Sequence, residues 1–562
     1  MNNNVLDIKD YIVFFVYFVI VAAYGFYIYY KKKSKTADSK DYFLAEGSLT
    51  WWAIGASLIA SNISAEQFIG MSGNGFTMGL AIATYEWMAA ATLIVVAVFF
   101  IPVYLKNKIY TMPQFLHQRY NGTVAMIMAV FWLLLYVVVN LTSILFLGAL
   151  AISSISGISL TACMIFLAVF AVIITLGGMK VIGFTDVIQV FFLILGGLAT
   201  TYLALDLVAK HFGSEGAVQG FKYITQQADS HFHMILKPEN DHYISLPGLT
   251  VLFGGMWIVN LNYWGCNQYI TQRALGADLK TARRGILFAA FLKLLMPVIV
   301  VLPGIAAYVL FKNGYFQQEM MVNGELVQDK AYPVLLNLLP SGLKGLSFAA
   351  LTAAVVASLA GKANSIATIF TLDIYKKRIN PAADEKKQVW IGRAAIIVSM
   401  LLAVFIAPFL GIDKKGGFEF IQEYTGFVSP GIFAMFILGF FWKKTTSNAA
   451  LFATIGGFAL SVFFKVLPTF ANLEFLSSTG FSKQVLQKDG NLLYEIPFLD
   501  RMGFVFVFAV VGMYIISVIE NKKGVVPNGL EVDTKMFKTD SKFAVGALLI
   551  VGVIVALYTL YW

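Results

Sequence analysis

The chain has 562 residues, of which 59% are hydrophobic and only 13% charged. Soluble domains carry about 25% charge, so a soluble globular protein is excluded and an all-α polytopic membrane protein is indicated. The net charge of +10 does not point to nucleic acid, because the lysines and arginines lie between apolar runs, as membrane topology requires. A span needs roughly 20 apolar residues. Fourteen stretches near that length follow in chain order: 11–30, 51–73, 80–104, 124–151, 160–176, 181–209, 247–269, 286–311, 343–375, 389–408, 418–442, 448–467, 502–519 and 543–561. The first follows Asp7 and Asp10 and ends in Lys31-Lys32-Lys33. That is the reverse of a cleavable signal, and it reads as a retained anchor helix. Cys163 and Cys266 both lie in apolar sequence and do not suggest a disulfide scaffold.

Loops between the stretches alternate in charge. One set holds 31–40, 106–119, Lys180, 273–284, 376–393, 443–444 and 522–542, with roughly twice the Lys and Arg of the other set. The richer set is expected on the cytoplasmic side, which places both termini outside. The longer outside loops are then 211–246, 312–342 and 468–501.

Two apolar stretches are interrupted. "ASNISAEQFIGMSGNG", Ala60 to Gly75, carries Asn62, Ser64, Glu66 and Gln67 at mid-span depth. Five spans later, "LFGGMWIVNLNYWGCNQY" carries Asn260, Asn262, Tyr263, Trp264 and Asn267. Irregular backbone at that depth survives only where it is buried or lines a cavity. A pair of such segments at corresponding positions of two halves points to an inverted-repeat transporter with its site near the midplane. Glycine-rich close packing alone would not need the flanking amides and carboxylate. The few intramembrane charges are Lys293, Lys362, Glu66, Glu86, Asp186 and Glu423. Charge there usually faces a cavity or a partner; helix-locking ion pairs are the plainer alternative. Phosphate loops, paired catalytic carboxylates and nucleophile–base sets are absent, so an enzyme is not expected. His231 and His233 form a His-x-His in an outside loop, where a plain surface pair is expected rather than a metal site.

Several longer stretches are distinctive: "WWAIGASLIASNISAEQFIGMSGNGF", "ATYEWMAA", "GFTDVIQVFF", "NYWGCNQYITQRAL", "AAFLKLLMPVIVVLPGIAAY", "ANSIATIFTLDIYKK" and "FIQEYTGFVSPGIFAMFILGFFWKKTTS". Over nearly the whole length, weakest in the outside loops, they resemble the sodium:solute symporter family, most of all its bacterial sodium/glucose-galactose cotransporters of the SGLT type. The resemblance implies a LeuT-type fold of about 14 transmembrane helices, a five-plus-five inverted repeat with discontinuous first and sixth core helices. Its implied divisions are an anchor helix and cytoplasmic loop (1–48), a first repeat (49–246), a second repeat (247–444) and three C-terminal helices (445–562).

The resemblance also implies a site. Gln67, Glu86, Asn260, Lys293 and Gln422 would hydrogen-bond sugar hydroxyls, with Asn62 close by. Such a mixture of carboxylate, ammonium and amides suits a ring that both donates and accepts. Tyr263, followed by Trp264, would stack on the sugar and close the inner gate, while Met71, Tyr85 and Phe418 match an outer gate. Related carriers have a serine where this chain has Ala89, which leaves the particular sugar open. Sodium would be held by the carbonyls of Ala60, Ile63 and Ala354 and the hydroxyl of Ser358. Here the chain departs from the family. A second hydroxyl is replaced by Ala357, and Lys362 lies one turn beyond Ser358. Helical side chains point back toward the N-terminus. In one reading Lys362 therefore pairs with Asp186, on the implied ion exit path, or faces the cytoplasmic vestibule, and water replaces the lost ligand. In the other its ammonium partly substitutes for sodium, and coupling is weakened, lost or moved to protons.

The resulting expectation is sodium-coupled uptake of a hexose, galactose or glucose, by a multi-pass protein of the cell (inner) membrane. The partners are the sugar, Na+ and the lipid bilayer; nucleic acid is not one. The oligomeric state stays open, a dimer included. Alternatives are another solute, such as myo-inositol, sialic acid or an amino acid, a sodium-independent or proton-linked carrier, and a non-transporting sugar sensor.

Overall fold

A computed structural model describes residues 6–31, 49–177, 179–322, 324–409, 417–487 and 490–562. Most of the basic loop expected at 31–40 lies outside these residues. The described helices are α1 (Ile8–Lys31), α2 (Trp51–Asn62), α3 (66–78), α4 (84–106), α5 (122–156), α6 (Leu160–Thr175), α7 (Met179–His211), α8 (Gly255–Gly265), α9 (Gln268–Leu275), α10 (Leu279–Lys312), α11 (343–379), α12 (Glu385–Ile406), α13 (Gly417–Gly426), α14 (Ser429–Phe441), α15 (447–466), α16 (Phe498–Lys522) and α17 (Ser541–Leu560). Short helices and two small antiparallel hairpins lie in the loops. In the larger hairpin Lys483 pairs with Glu495 and Leu486 with Leu492.

Each of the fourteen apolar stretches is helical. By length and composition ten of the described helices can cross a membrane, or eleven if α13 and α14, bent by 53°, count as one span. The expected count of fourteen differs for a physical reason. The helix at 160–175 is short, and the segments at 51–78 and 255–275 are interrupted. A broken helix presents no continuous apolar length of about 20 residues.

The two breaks are built by local side chains. At the first, Ile63 leaves helical geometry (φ −76°, ψ 103°). The Gln67 Oε1 accepts the Ser64 N–H at 3.0 Å, and the Ser64 Oγ accepts the Glu66 N–H at 3.1 Å. At the second, Cys266 and Asn267 leave the helix (Asn267 φ −106°, ψ 125°). The Tyr104 hydroxyl donates to the Gly265 carbonyl at 2.6 Å, and the Tyr136 hydroxyl donates to Asn267 Oδ1. Backbone groups freed at membrane depth must be satisfied internally; Gln67, Ser64 and Tyr104 do so here, while Tyr136 holds the Asn267 side chain.

Helix α10 is the central strut, packed along α2, α3 and α4. Small residues let it approach: a Cβ on Gly55 would lie 2.6 Å from the Gly285 carbonyl oxygen, and one on Gly75 would lie 2.7 Å from that of Val301. Side chains larger than glycine would force these helices apart. Gly79 takes φ +72° and turns the chain from α3 into α4.

Loops sort into two groups. On one side, the Asp10 carboxylate accepts the N–H groups of Gly342 and Gly345, Tyr243 donates to the Gly480 carbonyl, and the Met234 N–H donates to Tyr561 O. Residues near both described ends thus sit with loops 211–246, 312–342 and 468–501. On the other side, Arg119 donates to the carbonyls of Gly439, Trp442 and Thr445, and Arg283 to those of Met536 and Lys538. This partition matches the two loop sets distinguished by charge.

His231 and His233 do not form the plain surface pair expected, because His231 is buried. The His231 ring is buried against Tyr308 with Nε2 3.1 Å from Phe76 O, and His233 Nδ1 lies 3.1 Å from Trp562 O. Burial holds His231 below the ordinary imidazole range. The unfolded chain therefore binds the proton more readily, so this contribution to stability is present above pH about 6.5 and is lost as the pH falls below it. The thermal midpoint is expected to drop between pH 8 and pH 5.5, with a shallower slope in His231→Gln. Equal slopes in differential scanning fluorimetry would refute the assignment to His231.

Candidate functional site

The two breaks face a buried polar network. Lys293 on α10 donates to Glu86 Oε2 on α4 at 2.5 Å and to Asn62 Oδ1 at the end of α2. Asn62 Nδ2 donates to the Tyr263 hydroxyl at 2.9 Å, on α8 just before the second break. The Lys293 ammonium also lies 5.2 Å from the Trp264 ring centroid. Lys293 and Glu86 are only 1% and 2% exposed. Two charges taken so far from water persist only when paired and hydrogen-bonded. The geometry brings Asn62, Glu86, Lys293, Tyr263 and Trp264 together.

Other expected sugar contacts are placed differently. Gln67 spends its side-chain carbonyl on the first break. Asn260 is buried, but its amide donates to the Met256 carbonyl of its own helix at 3.1 Å. Gln422 is half-buried on α13. These three lie outside the hydrogen-bonded network of Glu86 and Lys293.

Toward the long-loop side, Met71, Tyr85 and Phe418 are buried. The rings of Tyr85 and Phe418 meet edge to face at 5.0 Å. A Cβ on Gly70 would lie 2.8 Å from Phe418 Cβ, so α13 presses on α3 there. On the same side is a cavity of about 870 Å³ lined by Glu419, Glu423, Lys465, Glu495 and Arg501. Glu423 pairs with Lys465 at 2.8 Å and Arg501 at 3.4 Å. Glu423, read as an intramembrane charge that faces a cavity or a partner, thus has two cationic partners and lines this cavity.

Ser358 crosses the last turn of α2. Its hydroxyl donates to Ser61 O at 3.0 Å and lies 3.4 Å from Ala60 O. Ala354 and Ala357 are buried on the same helix, and Ile63 carries the extended backbone of the break. The expected pairing of Lys362 with Asp186 is not formed. The Lys362 ammonium lies 3.7 Å from Glu66 Oε1, at the start of α3, and 4.9 Å from the Tyr269 ring centroid. Asp186 instead accepts from the Ser57 hydroxyl at 2.5 Å, and its Oδ2 lies 4.0 Å from Arg273. Arg273 Nε donates to Ser57 Oγ at 2.8 Å. Arg273 occupies the place expected of Lys362. Sequence reasoning missed this because Arg273 read as part of a basic loop. Its position four residues after Tyr269, in the helix that continues the second broken segment, was the available signal.

Two broken helices around a buried, charge-paired polar network define a membrane transporter of the inverted-repeat class. The model of the sodium:solute symporter family matches residues 42–457. The chain is 45% identical to the sodium/glucose cotransporter of Vibrio parahaemolyticus, over 99% of each chain. It is 32% identical to human sodium/myo-inositol cotransporter 2, over 90% of this chain and 76% of that one. The structure of a Na+-coupled sialic acid symporter superposes with a TM-score of 0.74 at 21% identity, covering 91% of this chain and 98% of that one. The chain belongs to the sodium:solute symporter family, and its fold is the LeuT-like one expected.

Proposed function

We propose that the protein carries out sodium-coupled symport of a hexose, glucose or galactose, by alternating access. The observation that carries this reading is the Glu86–Lys293–Asn62–Tyr263 network, closed between two helix breaks. A pyranose offers a ring of hydroxyls, and this cluster offers acceptors and donors within one buried space. The full-length likeness to a sodium/glucose cotransporter supports the same solute. The two charges satisfy each other in the structure, which lowers the cost of keeping both in the membrane. Sugar entering from the outer cavity would exchange that pairing for hydroxyl contacts, joined by Gln67, Asn260 and Gln422 after side-chain rearrangement.

In this reading 49–246 and 247–444 are the two repeats, framed by the anchor segment 1–48 and the helices of 445–562. Tyr85, Phe418 and Met71 form the outer gate, with Tyr263 and Trp264 at the inner one. Sodium is the coupling ion, held by Ala60, Ile63, Ala354 and Ser358. The basic loop side is cytoplasmic, both termini are outside, and the membrane is a bacterial inner one. The role is transport without catalysis.

One observation favours a second reading. A buried ammonium, Lys362, stands beside the first break while Ala357 offers no hydroxyl. Such a resident cation would make sugar exchange independent of sodium, or link it to protons. Uptake of labelled galactose and glucose into proteoliposomes decides the matter, driven by a sodium gradient, by potassium alone or by a pH gradient. Concentrative uptake is expected only with sodium, and Glu86→Ala is expected to lower it at least a hundredfold. Uptake unchanged by sodium removal would support the second reading. No uptake of either sugar under any gradient would overturn the hexose assignment.

A further inference from the structure

On the lipid-facing side, a groove of about 550 Å³ runs between α10 and α17. Its walls are Leu287, Phe291, Leu549 and Val553, and its floor is the seam where α2 meets α10. There the Trp51 and Phe288 rings pack edge to face at 5.5 Å. The groove is apolar along its length and basic at one end, where Arg284 and Lys542 line it, both exposed. Neither has a carboxylate partner among the described residues. The nearest acid in sequence, Asp540, is engaged as the cap of α17, accepting the Phe543 N–H at 2.8 Å. Next to Arg284, Arg283 donates to the carbonyls of Met536 and Lys538, which fixes the segment leading into α17 against α10. The two cations are therefore held together at the basic loop side, at the depth where the apolar walls end.

We infer that this groove binds an anionic phospholipid of the bilayer, its phosphate between Arg284 and Lys542 and an acyl chain along α10 and α17. Charge complementarity selects the occupant. Unpaired basic residues beside a transmembrane groove on the cytoplasmic side suit an acidic headgroup, whereas detergent or a zwitterionic lipid would leave their charge uncompensated. Aromatic rings at the floor place Trp51 in the interfacial position such side chains prefer. The site also has a structural consequence. Leu294 lines the groove while its neighbour Lys293 faces the polar network. A bound lipid would thus brace the outer face of the helix whose inner face carries the central ammonium, and tie α17 to α2 and α10. This inference does not rest on the solute transported.

Native mass spectrometry of the full chain tests it, with titration of phosphatidylglycerol against phosphatidylcholine into delipidated protein. Wild type is expected to retain one phosphatidylglycerol in preference to phosphatidylcholine. Arg284→Ala/Lys542→Ala is expected to weaken that adduct about thirtyfold, since each basic residue near an acidic headgroup contributes modestly and additively. Leu549→Trp, which fills the groove from an exposed position, is expected to weaken it without loss of charge. Lys386→Ala/Lys387→Ala removes two exposed cations elsewhere on the same side and is expected to bind as wild type. The inference is overturned if the Arg284/Lys542 variant binds as wild type, if the Lys386/Lys387 control loses the adduct equally, or if phosphatidylcholine is retained as well. Displacement by glycerol 3-phosphate, which has the phosphate but no acyl chains, would also overturn it.

Discussion

Lys293→Met is expected to abolish sugar uptake and to lower the thermal midpoint of the purified protein. The substitution leaves the Glu86 carboxylate and the Asn62 carbonyl oxygen without the ammonium that satisfies both. Removing one partner of a buried ion pair costs about 3–5 kcal/mol, more than the intact pair contributes, because an uncompensated charge remains. The double variant Glu86→Gln/Lys293→Met tests whether this is the cause. It removes both charges with little change in volume and is expected to recover most of the lost stability, read by scanning fluorimetry. It is not expected to recover transport, because the proposed sugar site then lacks its strongest donor and acceptor. Buried polar groups left unpaired by a substrate are what such a site discriminates with. Wild-type uptake by Lys293→Met would remove Lys293 from the site. A double variant no more stable than Lys293→Met would show that the loss comes from packing against Trp264.

Much of this arrangement was legible in the sequence, for identifiable reasons. Apolar length reported the long helices, because the bilayer imposes it on the chain directly, whereas short loop helices such as Met112–Arg119 and Ala217–Gln227 left no such mark. The breaks were legible because amides and a carboxylate in an apolar run are too costly to keep unless they face a cavity or a partner. Glu86, Lys293 and Asn62 come from three distant segments, and their convergence could be expected only through the family resemblance. Pairing was the part that composition could not carry. Spacing alone allows Lys362 to meet Asp186, but Glu66 competes for it from the start of α3, and Arg273 takes Asp186 through Ser57. Which of several buried charges meet depends on how α7, α9 and α11 are rotated against one another, and no periodicity reports rotation between helices. Glu423 could likewise be expected to face a cavity or a partner, but not to meet Lys465 and Arg501, which come from distant segments of the chain.

The Glu66–Lys362 pair carries the second large expectation. It links α3, just after the first break, to α11, just after Ser358, so it spans the junction at which the proposed sodium ligands lie. Glu66→Gln alone strands an ammonium and Lys362→Met alone strands a carboxylate. Each is expected to cost about 3–5 kcal/mol, with the double variant less destabilised than either. The cycle is measured by thermal or denaturant unfolding in detergent, and simple additivity would show that the two groups are not coupled. Transport then separates structure from coupling. If the pair only locks the break to α11, Glu66→Gln/Lys362→Met keeps sodium-dependent uptake with a changed rate, which is the expected result. If the ammonium stands in for the ion, wild type exchanges sugar in potassium alone, and the double variant either acquires a requirement for sodium or stops. An ion that binds one state better shifts the equilibrium only by its differential affinity. A permanently bound cation of the protein itself would hold that difference fixed, and the sodium gradient could then do no work on the sugar.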